Sequence, residues 1–299
     1  MSDNGHILRI AVIGTEAETG PLIASAERLA GIDCAGVPGD CELDGFDAVA
    51  YCGSHDDDVR AICDVARSGK HLLVDLAALK TTVEAEAVIA ACGEADVLTM
   101  IAQPQRFLPA IQAVRQSLDA GELGEPGLLR IHLWTAEPNG NAGQRLLGEI
   151  DLANYLLGGM PTNVYAVARQ IGDSPRFLQV HLGFEGGSMA LVDVTTELPA
   201  GDDYYSLSLI CADGSAYADD HHNVQLMYSG GPAAAARTQP ISLHWTEPLR
   251  DFVMAIGKSR VPAIGGDAAL AALKVTAAIR RSIESGSAMH RQGEDYEPA

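Results

Sequence analysis

The chain has 299 residues, is 47% hydrophobic, and carries 40 acidic against 20 basic side chains for a net charge of −20. That acidic excess excludes nucleic acid and anionic membrane surfaces as partners, because both demand a cationic face. Length and apolar content suffice for two domains with cores of their own.

The first third alternates strand and helix. Ile7 to Ile13 reads as a buried strand ended by Gly14, and a helix from Pro21 to Leu29 follows, with proline at a favoured first helical position. Ile32 to Val37 and Asp47 to Cys52 are further strands, the latter closed by Gly53-Ser54. From Asp57 to Arg67 the apolar residues Val59, Ile62, Cys63 and Ala66 recur at helical spacing, and Ser68-Gly69 supplies the stop. His71 to Asp75 is the next strand. A helix from Thr82 to Cys92 takes Thr81 or Thr82 as N-cap with Glu84 or Glu86 in its first turn, and Val97 to Ala102 is the last strand. This order predicts an α/β domain, a doubly wound parallel sheet of Rossmann type.

Beyond it, strand-like runs cover Gly127 to Trp134, Val164 to Ile171, Arg176 to Phe184, Ser188 to Thr196, Tyr204 to Cys211 and Asn223 to Tyr228. A loop from Thr135 to Gln144, carrying Glu137, Asn139 and Asn141, leads into a helix from Arg145 to Leu157. The pattern predicts a second, α+β domain with a large open, mostly antiparallel sheet, one face apolar and the other mixed. The expected domains are 1–120 and 121–299. Gly230-Gly231-Pro232 reads as a loop, and Gly293 to Ala299 as a frayed acidic tail.

A glycine between a first strand and a helix is where dinucleotide folds seat the pyrophosphate. The turn from Gly14 departs from that fingerprint: Glu16 and Thr19 stand where the second and third glycines belong, with Gly20 one place late. A Glu16 carboxylate about 5 Å from a phosphate charge would cost roughly 3 kcal/mol at an effective dielectric near 20. Where an acidic residue should hold the ribose stands Pro38, with Asp40 two residues on.

Three segments in order, Ser68-Gly69-Lys70-His71-Leu72-Leu73-Val74-Asp75, Gln103-Pro104-Gln105-Arg106-Phe107-Leu108-Pro109 and Gly121-Glu122-Leu123-Gly124-Glu125-Pro126, resemble the glucose-fructose oxidoreductase and inositol dehydrogenase (Gfo/Idh/MocA) family. Leu156-Leu157-Gly158-Gly159-Met160-Pro161 and Pro248-Leu249-Arg250-Asp251-Phe252 extend the resemblance over nearly the whole chain. It implies a Rossmann domain followed by an open-sheet domain, NAD or NADP as cofactor, and a sugar, cyclitol or related polyol as substrate. It also implies a homo-oligomer through the exposed sheet face. Carried over residue by residue, it puts Gly14, Thr15, Asp40, Gly53, Ser54 and Asp75 at the cofactor and Gln103, Arg106 and Asp151 at the substrate.

The family's chemistry is not carried over with them. Its Glu-Lys-Pro lysine is replaced by Leu76, within Asp75-Leu76-Ala77, and its paired aspartate and histidine fall on Gln144 and Gly148. Hydride transfer at a carbinol needs a group to move the hydroxyl proton, worth on the order of a hundred- to ten-thousandfold in rate. Leucine and glycine supply none. Lys80, Glu149, Asp151 and His55 are the nearby substitutes. Two expectations follow: a degenerate member with weakened or absent cofactor binding that acts as a ligand-binding or partner subunit or has altered chemistry, or an active NAD(P)-dependent oxidoreductase with a relocated proton-transfer group.

The six cysteines lack Cys-x-x-Cys spacing, so reduced thiols are expected. Asp219-Asp220-His221-His222 is the most metal-like cluster, but neighbouring residues of a strand face opposite sides and no metal site is assigned. His132, His181 and His244 read as sheet-face residues. With no leader or apolar spanning run, a cytoplasmic location is expected.

Overall fold

Short apolar runs closed by glycine or by acidic turns cannot lengthen into helices, and they pair instead. The computed structural model describes residues 7–39, 41–53, 59–137, 142–171, 174–200, 203–219, 224–228, 234–237 and 245–299. Its first elements are β1 (Leu8–Ile13), α1 (Glu16–Ala26), β2 (Ile32–Gly36), β3 (Ala48–Tyr51), α2 (Val59–Arg67), β4 (His71–Asp75), α3 (Thr82–Glu94) and β5 (Thr99–Ala102). These strands form a parallel sheet in the order β2-β1-β3-β4-β5. Near-continuous apolar strands suit it: Ile10 to Val12, Ala48 to Ala50 and Leu72 to Val74 are fully or almost fully buried.

The first helix differs from expectation. It starts at Glu16, and Pro21 lies inside it. Thr15 and Glu18 cap each other and open the helix earlier, while burial of Leu22 and Ala26 against the sheet holds it past the proline. Thr81 caps α3 as read: its Oγ1 accepts from Glu84 N at 3.2 Å and its N–H donates to Glu84 Oε2 at 3.1 Å.

The chain continues through α4 (Pro109–Asp119), β6 (Pro126–Trp134), α5 (Ala142–Leu157), β7 (Asn163–Ile171), β8 (Ser174–Gly183), β9 (Met189–Thr195), β10 (Tyr204–Cys211), β11 (Ser215–Asp219), β12 (Val224–Tyr228) and β13 (Ala234–Arg237). Then come α6 (Thr246–Lys258), α7 (Gly266–Ser285), β14 (Met289–Gln292) and β15 (Asp295–Pro298). Among the described residues these strands form one sheet, ordered β13-β12-β11-β10-β6-β9-β8-β7-β14-β15 and antiparallel except for β6 with β9. Leu129, Ile131, Val164, Val180, Leu182, Val192 and Val194 make its buried face, against which α5 packs.

The predicted frayed tail is corrected. Met289 to Pro298 folds back as the β14–β15 hairpin, and Tyr296, 1% exposed, donates its hydroxyl to the Pro161 carbonyl at 2.7 Å. One aromatic with a partner for its polar tip outweighs the acidic residues around it.

Contacts divide the chain into one compact unit of residues 1–107 and 239–270 and another of residues 108–238 and 271–299. The expected boundary at 120 falls after α4, which groups with the second unit. Residues 239–270, expected in the second domain, group with the first because Leu249 and Phe252 of α6 join the apolar layer of Ile10, Val12, Ala48, Ala50 and Met100.

Candidate functional site

In the first unit the carboxyl ends of β1, β3 and β4 meet at one edge, the place where open α/β sheets bind ligands. Gly14 is there because of close approach: a Cβ on it would lie 2.9 Å from the Cys52 carbonyl oxygen and 3.0 Å from Thr19 Cγ2. Thr15 follows as the N-cap of α1. Its N–H and its hydroxyl both donate to Glu18 Oε2, at 3.0 and 2.7 Å.

Across from this turn, Gly53 has φ +76°, and a Cβ on it would clash with the Glu18 carboxylate. The Glu18 carboxylate therefore lies flat against the Gly53 backbone. Gly53 N in turn donates to Asp75 Oδ2 at 3.1 Å, and Asp75 Oδ1 accepts from Ala77 N at 3.0 Å. Of the residues assigned to the cofactor, Gly14, Thr15, Gly53 and Asp75 thus converge, but two of their backbone donors already serve carboxylates of the chain itself. Burial, with Asp75 and Glu18 nearby, pushes the Cys52 thiol far up. Asp40, Ser54 and His55 lie outside the described residues.

Fit to a dinucleotide can be judged here. The pyrophosphate of a Rossmann cofactor rests on the first turn, over the helix N-terminus and against backbone N–H groups. In this chain Glu18 holds that ground, and Thr19 packs on Gly14 where a third glycine would let helix and strand close up. The residues present do not fit the group. Sequence reading considered Glu16, which is exposed; the carboxylate beside Gly53 is that of Glu18, and the Thr15-x-x-Glu18 capping box was the available signal for it.

Leu76 starts a 3-10 turn (Leu76–Ala78) directly after β4 and is 3% exposed. Lys80 is exposed, its backbone N–H donating to Glu84 Oε2 at 2.7 Å. Gln103 is buried at the end of β5, and Arg106 is half-buried in the 3-10 turn Pro104–Phe107, where its N–H donates to the Gln103 carbonyl at 3.1 Å.

In the second unit, α5 carries the other candidates. Gln144 is exposed, and Gly148 offers no side chain. Glu149, one of the nearby substitutes, is 1% exposed, as is Asp151. A third polar side chain of this helix, Asn154, was missed by sequence reading. It is buried, and neither its Nδ2 nor its Oδ1 has a hydrogen-bond partner among the described residues. The helical spacing of 151 and 154 was the available signal. Glu137, before α5, pairs with Arg145 in the first turn of that helix, while Asn139 and Asn141 lie outside the described residues.

The opposite face of the second sheet is laid out in cross-strand rows. One row runs Tyr165, His181, Leu191, Arg130, Ser208, Tyr217, and the next runs Met189, Leu128, Ile210. Tyr165, Val167, Phe177, Met189, Ile210 and Tyr217 are all exposed there. A depression of about 400 Å³ opens beside Gly183 between Tyr165, His181, Arg130 and Met189. His132 sits on the same face, Nδ1 3.0 Å from Asp193 Oδ2. Among the described residues no group of three or more His, Cys, Asp or Glu could hold a metal; Asp220, His221, His222 and His244 lie outside them. No helix among them is long and apolar enough to cross a membrane.

Comparison with known proteins bears on this geometry. The family description GFO/IDH/MocA C-terminal domain matches residues 111–217. The uncharacterized oxidoreductase YrbE of Bacillus subtilis is 26% identical over 192 residues, 58% of this chain and 56% of YrbE. The inositol 2-dehydrogenase of Rhizobium meliloti is 24% identical over 264 residues, 80% of this chain and 78% of the enzyme. The chain thus spans little more than half the length of the first of these relatives. Among solved structures, GenD2 from gentamicin A biosynthesis, in complex with NAD, superposes with a TM-score of 0.83 at 18% identity, covering 96% of this chain and 97% of that one. At that identity the likeness carries the fold.

Proposed function

Because the chain belongs to the Gfo/Idh/MocA family of oxidoreductases, we propose that it keeps the family's two-unit fold without its classical hydride transfer, serving as a binding or partner subunit for a small sugar- or polyol-like ligand. The observation that carries this reading is Leu76, 3% exposed where the family presents its lysine. A buried leucine neither orients a hydroxyl nor takes its proton, and Gly148, at the histidine position, cannot do so either. The ligand class rests on the inositol 2-dehydrogenase among the relatives.

NAD or NADP is the cofactor that the relatives suggest, and binding weakened or abolished at the occupied turn is part of this reading. The exposed apolar face of the second sheet supports a homo-oligomer, with a second copy as the partner. No two of the six cysteines are joined, which suits a reducing compartment, and we place the protein in the cytoplasm.

One observation favours the other reading, an active oxidoreductase with a relocated proton-transfer group. Glu149 and Asp151, both 1% exposed, follow the Gly148 position by one and three residues, and buried carboxylates are recurrent proton-transfer groups. A single experiment decides. The protein is incubated with a panel of cyclitols, sugars and sugar acids plus NAD+ or NADP+, and reduced nicotinamide is followed by absorbance. No turnover is expected, while polyols alone should raise the melting temperature. Sustained reduction that is abolished by Glu149→Gln or Asp151→Asn would replace the binding reading with the enzymatic one.

A further inference from the structure

The phosphate turn holds a carboxylate of its own. We propose that Glu18 is a built-in anion that takes the place of a dinucleotide pyrophosphate, so that this chain excludes NAD and NADP by both space and charge.

Three independent contacts place it. Glu18 Oε2 accepts from the N–H and the hydroxyl of Thr15, at 3.0 and 2.7 Å, and so satisfies donors at the N-terminus of α1. Its other oxygen occupies the position that a Cβ on Gly53 would take, so the carboxylate spans the gap between the ends of β1 and β3. Gly53 N, the donor on the far side, is held by Asp75 Oδ2 at 3.1 Å. An incoming phosphate would meet two carboxylates and two donors already in use.

The physical consequence is specific to Glu18. A helix N-terminus attracts anions because its first N–H groups are unsatisfied and its dipole is positive. Here an internal anion takes the Thr15 N–H and lies at the positive end of the dipole, without the entropy loss of binding a mobile ligand. Glu16, in the same first turn and of the same charge, is exposed, and the atoms nearest a Cβ at Gly53 all belong to Glu18. Only one of the two carboxylates is an obstruction.

The proposal goes beyond the loss of proton transfer and does not depend on it, since one concerns cofactor binding and the other the Leu76 and Gly148 positions. The test uses the full chain as wild type, Glu18→Gln, Glu18→Ala and Glu16→Gln. Each is titrated with NAD+, NADH, NADP+ and NADPH by isothermal calorimetry, with melting temperatures recorded without ligand to verify folding. Wild type and Glu16→Gln should bind none of the four at submillimolar concentration. Glu18→Ala should bind at least one of them with a gain of about tenfold to a hundredfold, the range set by one carboxylate near a phosphate charge. Glu18→Gln keeps the size and the hydrogen-bond acceptor, so it should gain less, isolating charge from space; it decides the matter if the alanine variant unfolds. Micromolar binding by wild type overturns the proposal, as does an equal gain in Glu16→Gln or no gain in either Glu18 variant. A Glu18 variant that binds NAD yet reduces no polyol would leave both this inference and the proposed function standing, whereas wild type that binds NAD without turnover would sink only the first.

Discussion

Gly53 and Glu18 form a pair whose two members are explicable only together. The φ of +76° at Gly53 costs an L side chain about 1–2 kcal/mol, and the Glu18 carboxylate fills the space a Cβ would need. Gly53→Ala is therefore expected to destabilise the protein by more than that backbone cost, and by less when combined with Glu18→Ala. A denaturation cycle of the four proteins measures the coupling, expected above about 0.5 kcal/mol; strict additivity would place the carboxylate elsewhere. His71 is a second residue with a measurable signature. Its Nδ1 accepts from Leu98 N at 3.0 Å, and burial lowers its pKa from 6.5 despite the opposing pull of Asp47. The unfolded chain then binds more protons than the folded one in this window. The contribution is present above pH 6.5 and lost as pH falls through the folded value. Unfolding free energy should drop more steeply between neutral and mildly acidic pH in wild type than in His71→Gln; equal slopes would remove His71 from the account.

At the scale of elements, the C-terminal hairpin shows how one contact decides order. The sequence there is short, acidic and terminal, yet β14 extends the second sheet by pairing with β7, and β15 pairs with β14. The Tyr296 hydroxyl donates to the Pro161 carbonyl in a site closed to water. Tyr296→Phe strands that carbonyl and should cost about 1–3 kcal/mol in denaturant unfolding. Glu297→Ala, one residue on and exposed, should stay within about 0.5 kcal/mol of wild type. Equal effects would mean that the hairpin is held by its backbone pairing alone. The helix α1 makes the converse point. Its start was legible in Thr15-x-x-Glu18, but proline is such a strong marker of helix N-termini that Pro21 drew the boundary to itself, and burial of Leu22 overrode it.

For the whole molecule, the outer face of the second sheet is the feature that isolated domains do not retain. Met189 is 53% exposed, Val167 43% and Tyr165 39%, all on one face of β9 and β7, the two neighbours of β8. Water contact with so much clustered apolar surface is what oligomerisation removes. Light scattering of the wild type should give a multiple of the 31.4 kDa chain mass, and Met189→Glu combined with Val167→Asp should shift it to the monomer with little loss of secondary structure. A monomeric wild type would leave this face without its proposed partner.

The sequence by itself determined the two-part architecture, the five strands of the first sheet, six strands of the second, the N-cap of α3, and that Leu76 and Gly148 stand where the resemblance sets a lysine and a histidine. Those features are local: they depend on the period of apolar residues, on glycine and threonine at element ends, and on side-chain identity at a counted position. Only the tertiary structure decided that Glu18 rather than Glu16 lies against Gly53, that Asp75 is committed to the Gly53 N–H, that Glu149 is buried, and that residues 239–270 belong with the first unit. Each of these is a contact between segments distant in the chain, or a direction in which one side chain points. A linear pattern constrains which residues are apolar far more tightly than which of two glutamates on one helical turn faces inward, because that choice is made by neighbours the local sequence does not contain.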